Sequence, residues 1–146
     1  MDTPELRLDP RTYAMTVPAG PEAIDTLFDA MCRFCEAHGI DRDRQHFLNV
    51  ALDELVSNTL RHGQHSDASG LISVTVEDMD GLLTLVIRDT GPEFDPTVAQ
   101  TPALSGSIEE RQIGGLGIHL VRRLSDTFEY RRDGIWNEVK VSKRRT

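Results

Sequence analysis

The chain is poor in several things that would have pointed it elsewhere. It holds two cysteines in 146 residues, Cys32 and Cys35, and no second pair to complete a zinc site. Only two of its 16 basic residues are lysines, Lys140 and Lys143, and the net charge is −8. A general nucleic-acid binder carries a basic patch, and here only residues 143–145 qualify, so no nucleic-acid partner is expected. No apolar run approaches the roughly 20 residues that span a bilayer, and "MDTPELRLDPRTY" has no basic region followed by an apolar one. Neither a membrane partner nor a secretory signal is read, and a soluble, cytoplasmic chain is expected. No G-K-[ST] occurs, which excludes a P-loop, and neither H-R-D nor D-F-G is present.

What is there fits one domain over residues 1–146, long enough to bury a core. A strand is expected over 6–17, broken by Pro10, then a helix over 22–38 closed by Gly39. Cys35 shares the apolar stripe of that helix with Ile24, Leu27, Phe28 and Met31. Both thiols are therefore expected in core or half-buried positions. A second helix runs over 43–62 and stops at Gly63. "LISVTVED" (71–78) and "LLTLVIRD" (82–89) alternate and read as a hairpin. Residues 90–112 have no periodicity, and a structureless stretch of that length is commonly a functional lid. A third helix (117–125) and a closing hairpin follow, with Trp136 expected in the core. The order β-α-α-β-β-lid-α-β-β predicts an α+β two-layer sandwich, its sheet mostly antiparallel and covered by helices on one face.

"VALDELVSNTLRHG" (50–63) carries the first chemical signal. At about 100° per residue, Asn58 falls about 40° from Glu54, with Phe47, Val50 and Ala51 close by. Leu48, Leu52, Leu55 and Val56 continue the apolar arc, while His46, Asp53 and Ser57 lie opposite. Two adjacent acids are thus separated: Asp53 faces out, and Glu54 faces in beside Asn58. Inward polar groups need a partner or a ligand, so a hydrogen-bonded core pair is the plain alternative to a site.

Two glycine turns supply the company. In "RDTGPEFDP", Asp89 ends a strand two residues before Gly91, where a carboxylate can accept from an exocyclic amine and a flat ring can approach the backbone. The same letters also make an ordinary Asx turn. "QIGGLGIHL" opens a helix on bare backbone N–H groups suited to phosphate, or makes a hinge. An acidic protein holding triphosphate needs a cation, and Mg²⁺ takes oxygen ligands such as the Asn58 carboxamide. Glu54, one turn away, is then placed as a general base. Adenine at Asp89, phosphates at Gly115–Gly117 and Mg²⁺ on Asn58 make one picture.

E-x-x-x-N, D-x-G-x-x-F-D-P and G-G-L-G-[IL]-x-L-[VI], in this order, resemble the gyrase/Hsp90/histidine-kinase/MutL ATPase superfamily, over about residues 12–143. "NTLRHG", "GPEFDP" and "WNEVKVSKRR" are similar to its branch of bacterial anti-sigma-factor serine/threonine kinases. The resemblance implies the Bergerat ATP-binding fold with a lid at about 92–114. It implies Glu54 as the residue that polarises water or a substrate hydroxyl, and Asn58 as the Mg²⁺ ligand. It implies Asp89, Gly91, Phe94, Gly114, Gly115, Leu116, Gly117 and Ile118 on the nucleotide. It further implies that ATP phosphorylates a serine or threonine of a STAS-domain anti-anti-sigma partner, with a sigma factor as the captive and a PP2C-type phosphatase in the same circuit. Family members often form homodimers. The middle of the lid, with Glu109, Glu110 and Arg111, departs from the pattern.

His62, one turn past Asn58, is expected to support the nucleotide site, or simply to suit a helix C-terminus. His62 and His65 with His46 or Asp67 make a poor metal set, because the pair spans a helix end and a loop. Beside the kinase stands a second reading, a nucleotide-dependent switch that sequesters a partner with little kinase activity. A detached histidine-kinase catalytic domain comes last, since no long helix carries a phosphoacceptor histidine.

Overall fold

Alternation decides the sheet. On β2 (Leu71–Met79) and β3 (Leu82–Asp89), Ile72, Val74, Val76, Leu83, Leu85 and Ile87 are buried, while the residues between them stay half-exposed. Asp80 and Gly81 join these strands with φ of 53° and 81°, the left-handed pair that a two-residue hairpin turn requires. The computed structural model describes residues 11–63, 70–98 and 116–146. Before the hairpin come β1 (Thr12–Pro18), α1 (Ala23–His38) and α2 (Arg42–Gly63); after it come α3 (Leu116–Leu124), β4 (Thr127–Asp133) and β5 (Trp136–Arg144). A 3-10 turn at Pro96–Val98 follows β3.

The sheet runs β1-β2-β3-β5-β4, and all four pairings are antiparallel, where the sequence predicted a mostly antiparallel, mixed sheet. The consequence for function is that β3 and β5 lie side by side, with Asp89 directly opposite Asn137. The three helices among the described residues cover one face. Leu27, Met31 and Phe34 of α1, Phe47, Leu48, Leu52 and Val56 of α2, and Ile118 and Val121 of α3 meet the inward strand residues in one core. Each such side chain, fully buried, contributes about 1.5–3 kcal/mol. Gly39 ends α1 with φ 59° and returns its N–H to the carbonyl of Cys35. Among the described residues, no helix is long and apolar enough to cross a membrane.

Two expectations need correction. Cys35 is buried as predicted, but Cys32 is exposed, because it lies one residue off the stripe of Leu27, Met31 and Cys35. Trp136 is not core: it sits half-buried out of phase with Asn137 and Val139, and the Arg88 guanidinium covers its ring at 4.8 Å. The first strand begins at Thr12, and residues 1–10 lie outside the described ones.

The sequence reading also missed a buried ionic cluster. Arg44 is fully buried, donating to Asp78 Oδ1 at 2.7 Å and to Asp41 Oδ1 at 2.5 Å. Arg11 reaches Asp78 Oδ2 and the carbonyl of His38. The cluster ties the start of α2 to β1, the end of α1 and the β2–β3 turn. Arg44 stands one turn before Phe47 and Leu48, so a charge on an apolar stripe was the available signal.

Candidate functional site

Helix α2 sorts its acids as the wheel predicted. Asp53 is exposed, Glu54 is half-buried, and Asn58 is 5 % exposed. Burial pushes the Glu54 carboxyl above its ordinary range, the neighbouring Asp53 charge adds to this, and Arg61 opposes it. Among the described residues, the Asn58 carboxamide oxygen accepts one long contact, 3.4 Å, from Arg61. The carboxamide oxygen is therefore poorly satisfied and fits the donor set of an oxygen-seeking cation.

Gly117, in the first turn of α3, meets Glu54 directly. A Cβ at this position would overlap the Glu54 carboxylate, so any larger residue here would have to push that side chain aside. Leu116 opens α3, and Ile118 turns its side chain into the core. Gly114 and Gly115 lie outside the described residues, as does the lid from residue 99 onward.

Beyond Asn58, α2 and the ends of β3 and β5 line a small, partly open cleft. Leu55, Ile87, Val139 and Pro96 form apolar walls, and Asn58, Thr59, Asp89 and Asn137 supply convergent polar groups. Asp89 is buried, and its Oδ1 accepts the Gly91 N–H at 2.8 Å and Asn137 Nδ2 at 3.1 Å. Among the described residues, its Oδ2 has only the Thr59 hydroxyl at 3.4 Å. The imidazole of His62 stacks on Phe94, with ring centroids 4.3 Å apart and planes 13° from parallel. Burial lowers the His62 pKa and the Arg61 charge lowers it further, which favours a neutral ring at pH 7.

Structure thus brings Glu54, Asn58, His62, Asp89, Gly91, Phe94 and Gly117 to one side of α2. Among the described residues, no three His, Cys, Asp or Glu side chains gather as a metal set, and His65 and Asp67 lie outside them. Sequence reasoning missed Thr59 and Asn137. Asn137 alternates in phase with the buried Val139 and Val141, so it carries the same signal as Asn58, a polar residue at an inward position.

The antiparallel sheet, the helices on one face and the cleft at their seam make a two-layer α+β domain with its candidate site at the helix–sheet seam. Residues 17–143 match the family model of the histidine kinase-like ATPase domain. The serine/threonine-protein kinase BtrW of Bordetella bronchiseptica is 30 % identical over 95 residues, 65 % of this chain and 67 % of that protein. The serine-protein kinase RsbW of Halalkalibacterium halodurans is 25 % identical over 128 residues, 85 % and 78 % of the two chains. The anti-sigma F factor of Geobacillus stearothermophilus is 25 % identical over 54 % of each. A crystal structure of RsbU and RsbW domains from Mycobacterium tuberculosis shares the fold, with a TM-score of 0.67 at 18 % identity. That match covers 91 % of this chain and 32 % of the other. The chain belongs to the histidine kinase-like ATPase family, in the branch that these serine-protein kinases form.

Proposed function

We propose that the chain is an ATP-dependent serine/threonine protein kinase and an anti-sigma factor, working in the cytoplasm in a partner-switching circuit. Its substrate is a serine or threonine of a STAS-type anti-anti-sigma partner, its captive a sigma factor, and a PP2C-type phosphatase in the same circuit hydrolyses the phosphate from that partner. Residues 1–146 form one ATPase domain with its lid at about 92–114, and the chain works as a homodimer. The observation that carries the reading is the half-buried Glu54, one turn before the poorly satisfied Asn58 and against Gly117 of α3.

In this arrangement Asp89 accepts from the adenine amino group, and Gly91 leaves room for the ring. The apolar walls of the cleft exclude water from the base, and His62 with Phe94 closes its outer edge. The glycines Gly114, Gly115 and Gly117 let the start of α3 approach the phosphates, beside Leu116 and Ile118. Asn58 would hold Mg²⁺, which when bound neutralises phosphate charge. Glu54 takes the proton of the attacking hydroxyl, and the raised affinity of its carboxyl for protons suits a base. The alternative, a switch with little kinase activity, leaves an inward carboxylate at Glu54 without a task.

Calorimetry with ATP, with and without Mg²⁺, tests the binding half of this reading. Asn58→Ala is expected to abolish the Mg²⁺-dependent part of ATP binding, and unchanged affinity in Mg²⁺ would remove Asn58 from the cation. Asp89→Asn is expected to weaken ATP by about 10- to 100-fold, the penalty of mispairing a buried polar contact. Gly117→Ala tests the catalytic half. Its new methyl displaces the Glu54 carboxylate, and a misplacement on the order of 1 Å can lower a rate by about 10²-fold. Labelled phosphate transfer at the parent rate in Gly117→Ala would show that Glu54 does not need this contact.

A further inference from the structure

We propose that Asn137 is a positioning residue that holds Asp89 as an acceptor for adenine and so sets the preference for ATP over GTP. The inference rests on the nucleotide reading above. Asn137 is 3 % exposed on β5, directly opposite Asp89 on β3.

Its two ends face groups of opposite polarity. The carboxamide oxygen accepts from the Tyr130 hydroxyl at 2.6 Å, the Phe94 N–H at 3.2 Å and Arg132 Nη1 at 3.2 Å. The carboxamide nitrogen donates to Asp89 Oδ1 at 3.1 Å and to the carbonyls of Pro92 at 2.9 Å and Gly91 at 3.3 Å. Donors surround the oxygen and acceptors surround the nitrogen, so only one orientation of the amide satisfies the site.

That orientation has a consequence for Asp89. Its Oδ1 is filled by two good donors, the Gly91 N–H and Asn137 Nδ2. Its Oδ2 keeps acceptor capacity, since among the described residues only the Thr59 hydroxyl approaches it, at 3.4 Å. A purine that presents an amine donor satisfies such an oxygen, and one that presents a carbonyl there leaves two acceptors facing each other. Asn137 also ties the Gly91–Phe94 turn, through two carbonyls and one N–H, and so holds the Phe94 ring on which His62 stacks.

The test is calorimetric titration of Mg-ATP and Mg-GTP into the full chain, with a circular-dichroism melt for each variant. The parent is expected to prefer ATP. Asn137→Asp keeps the shape but removes both donor hydrogens. It is expected to weaken ATP about 10- to 100-fold while GTP changes little, so the ratio collapses. Because Asn137 acts through Asp89, Asp89→Ala with Asn137→Ala should bind ATP no worse than Asp89→Ala alone. An asparagine that merely supported the fold would weaken both nucleotides together, and its loss would add to that of Asp89. Equal affinity of the parent for ATP and GTP overturns the adenine role of Asp89 itself. An ATP-over-GTP ratio kept in Asn137→Asp but lost in Asp89→Asn overturns Asn137 alone. If the Asn137 variants do not fold, Tyr130→Phe decides, because it removes one donor that orients the amide. A narrowed ratio supports the proposal, and an unchanged ratio overturns it.

Discussion

Glu54→Ala is expected to bind ATP as the parent does and to lose phosphotransfer by about 10²–10⁴-fold, the range a positioned general base contributes. Separation of the two effects follows from the geometry. The cleft is lined by Asn58, Asp89 and the apolar walls, and Glu54 stands outside it, against Gly117. The pH profile offers a second reading of the same residue. A base must be ionised, so the rate rises with pH through the Glu54 pKa, which burial and the Asp53 charge hold above the ordinary carboxylate range. Asp53 is exposed, and Asp53→Asn removes the like charge without touching the cleft. The acid limb of kcat should therefore move to lower pH in Asp53→Asn, with the plateau preserved. A limb that stays in place would assign the titration to another group.

Asp78→Ala should destabilise the fold by about 3–5 kcal/mol at pH 7, because it removes the buried carboxylate partner of the fully buried Arg44 and leaves that guanidinium to the half-exposed Asp41. Burial alone would raise the Asp78 carboxyl, but the hydrogen bonds and charges of Arg44 and Arg11 override it and hold the pKa below its ordinary value. A depressed carboxylate stabilises the fold fully above its unfolded pKa, and that stability fades as pH falls through the folded value. The gap between parent and Asp78→Ala should accordingly shrink on acidification below about pH 4, the unfolded range of Asp. Urea unfolding at a series of pH values measures this. Arg44→Met combined with Asp78→Leu, which removes both charges, should be less damaging than Asp78→Ala alone. A stability gap that does not depend on pH would exclude the ion pair as its cause.

Where one period dominates a segment, the sequence was enough. The 3.6-residue stripe of α2 separated Asp53 from Glu54, and the alternation of β2 and β3 placed both strands and their turn. Asp89 was legible because glycine chemistry marks the turn at a strand end. The contacts that hold Asp89 were not legible, because Asn137 lies 48 residues away and only the β3–β5 pairing brings it alongside. Arg44 left a local signal, a charge on an apolar stripe, but its pairing with Asp78, 34 residues away, escaped for the same reason. Trp136 was misplaced by composition, since a lone tryptophan suggests core, whereas its register puts it on the outer face beside Arg88. Pairing across distant segments is what local periodicity lacks.

The most direct test of the kinase assignment is transfer from γ-phosphate-labelled ATP. The purified chain is mixed with the STAS-domain proteins of its source cell, in Mg²⁺, alongside Glu54→Ala and Asn58→Ala. The predicted result is label on a serine or threonine of one STAS protein with the parent chain only, stable to acid. Label on no STAS protein, or on a histidine, or at an equal rate with Glu54→Ala, would contradict it.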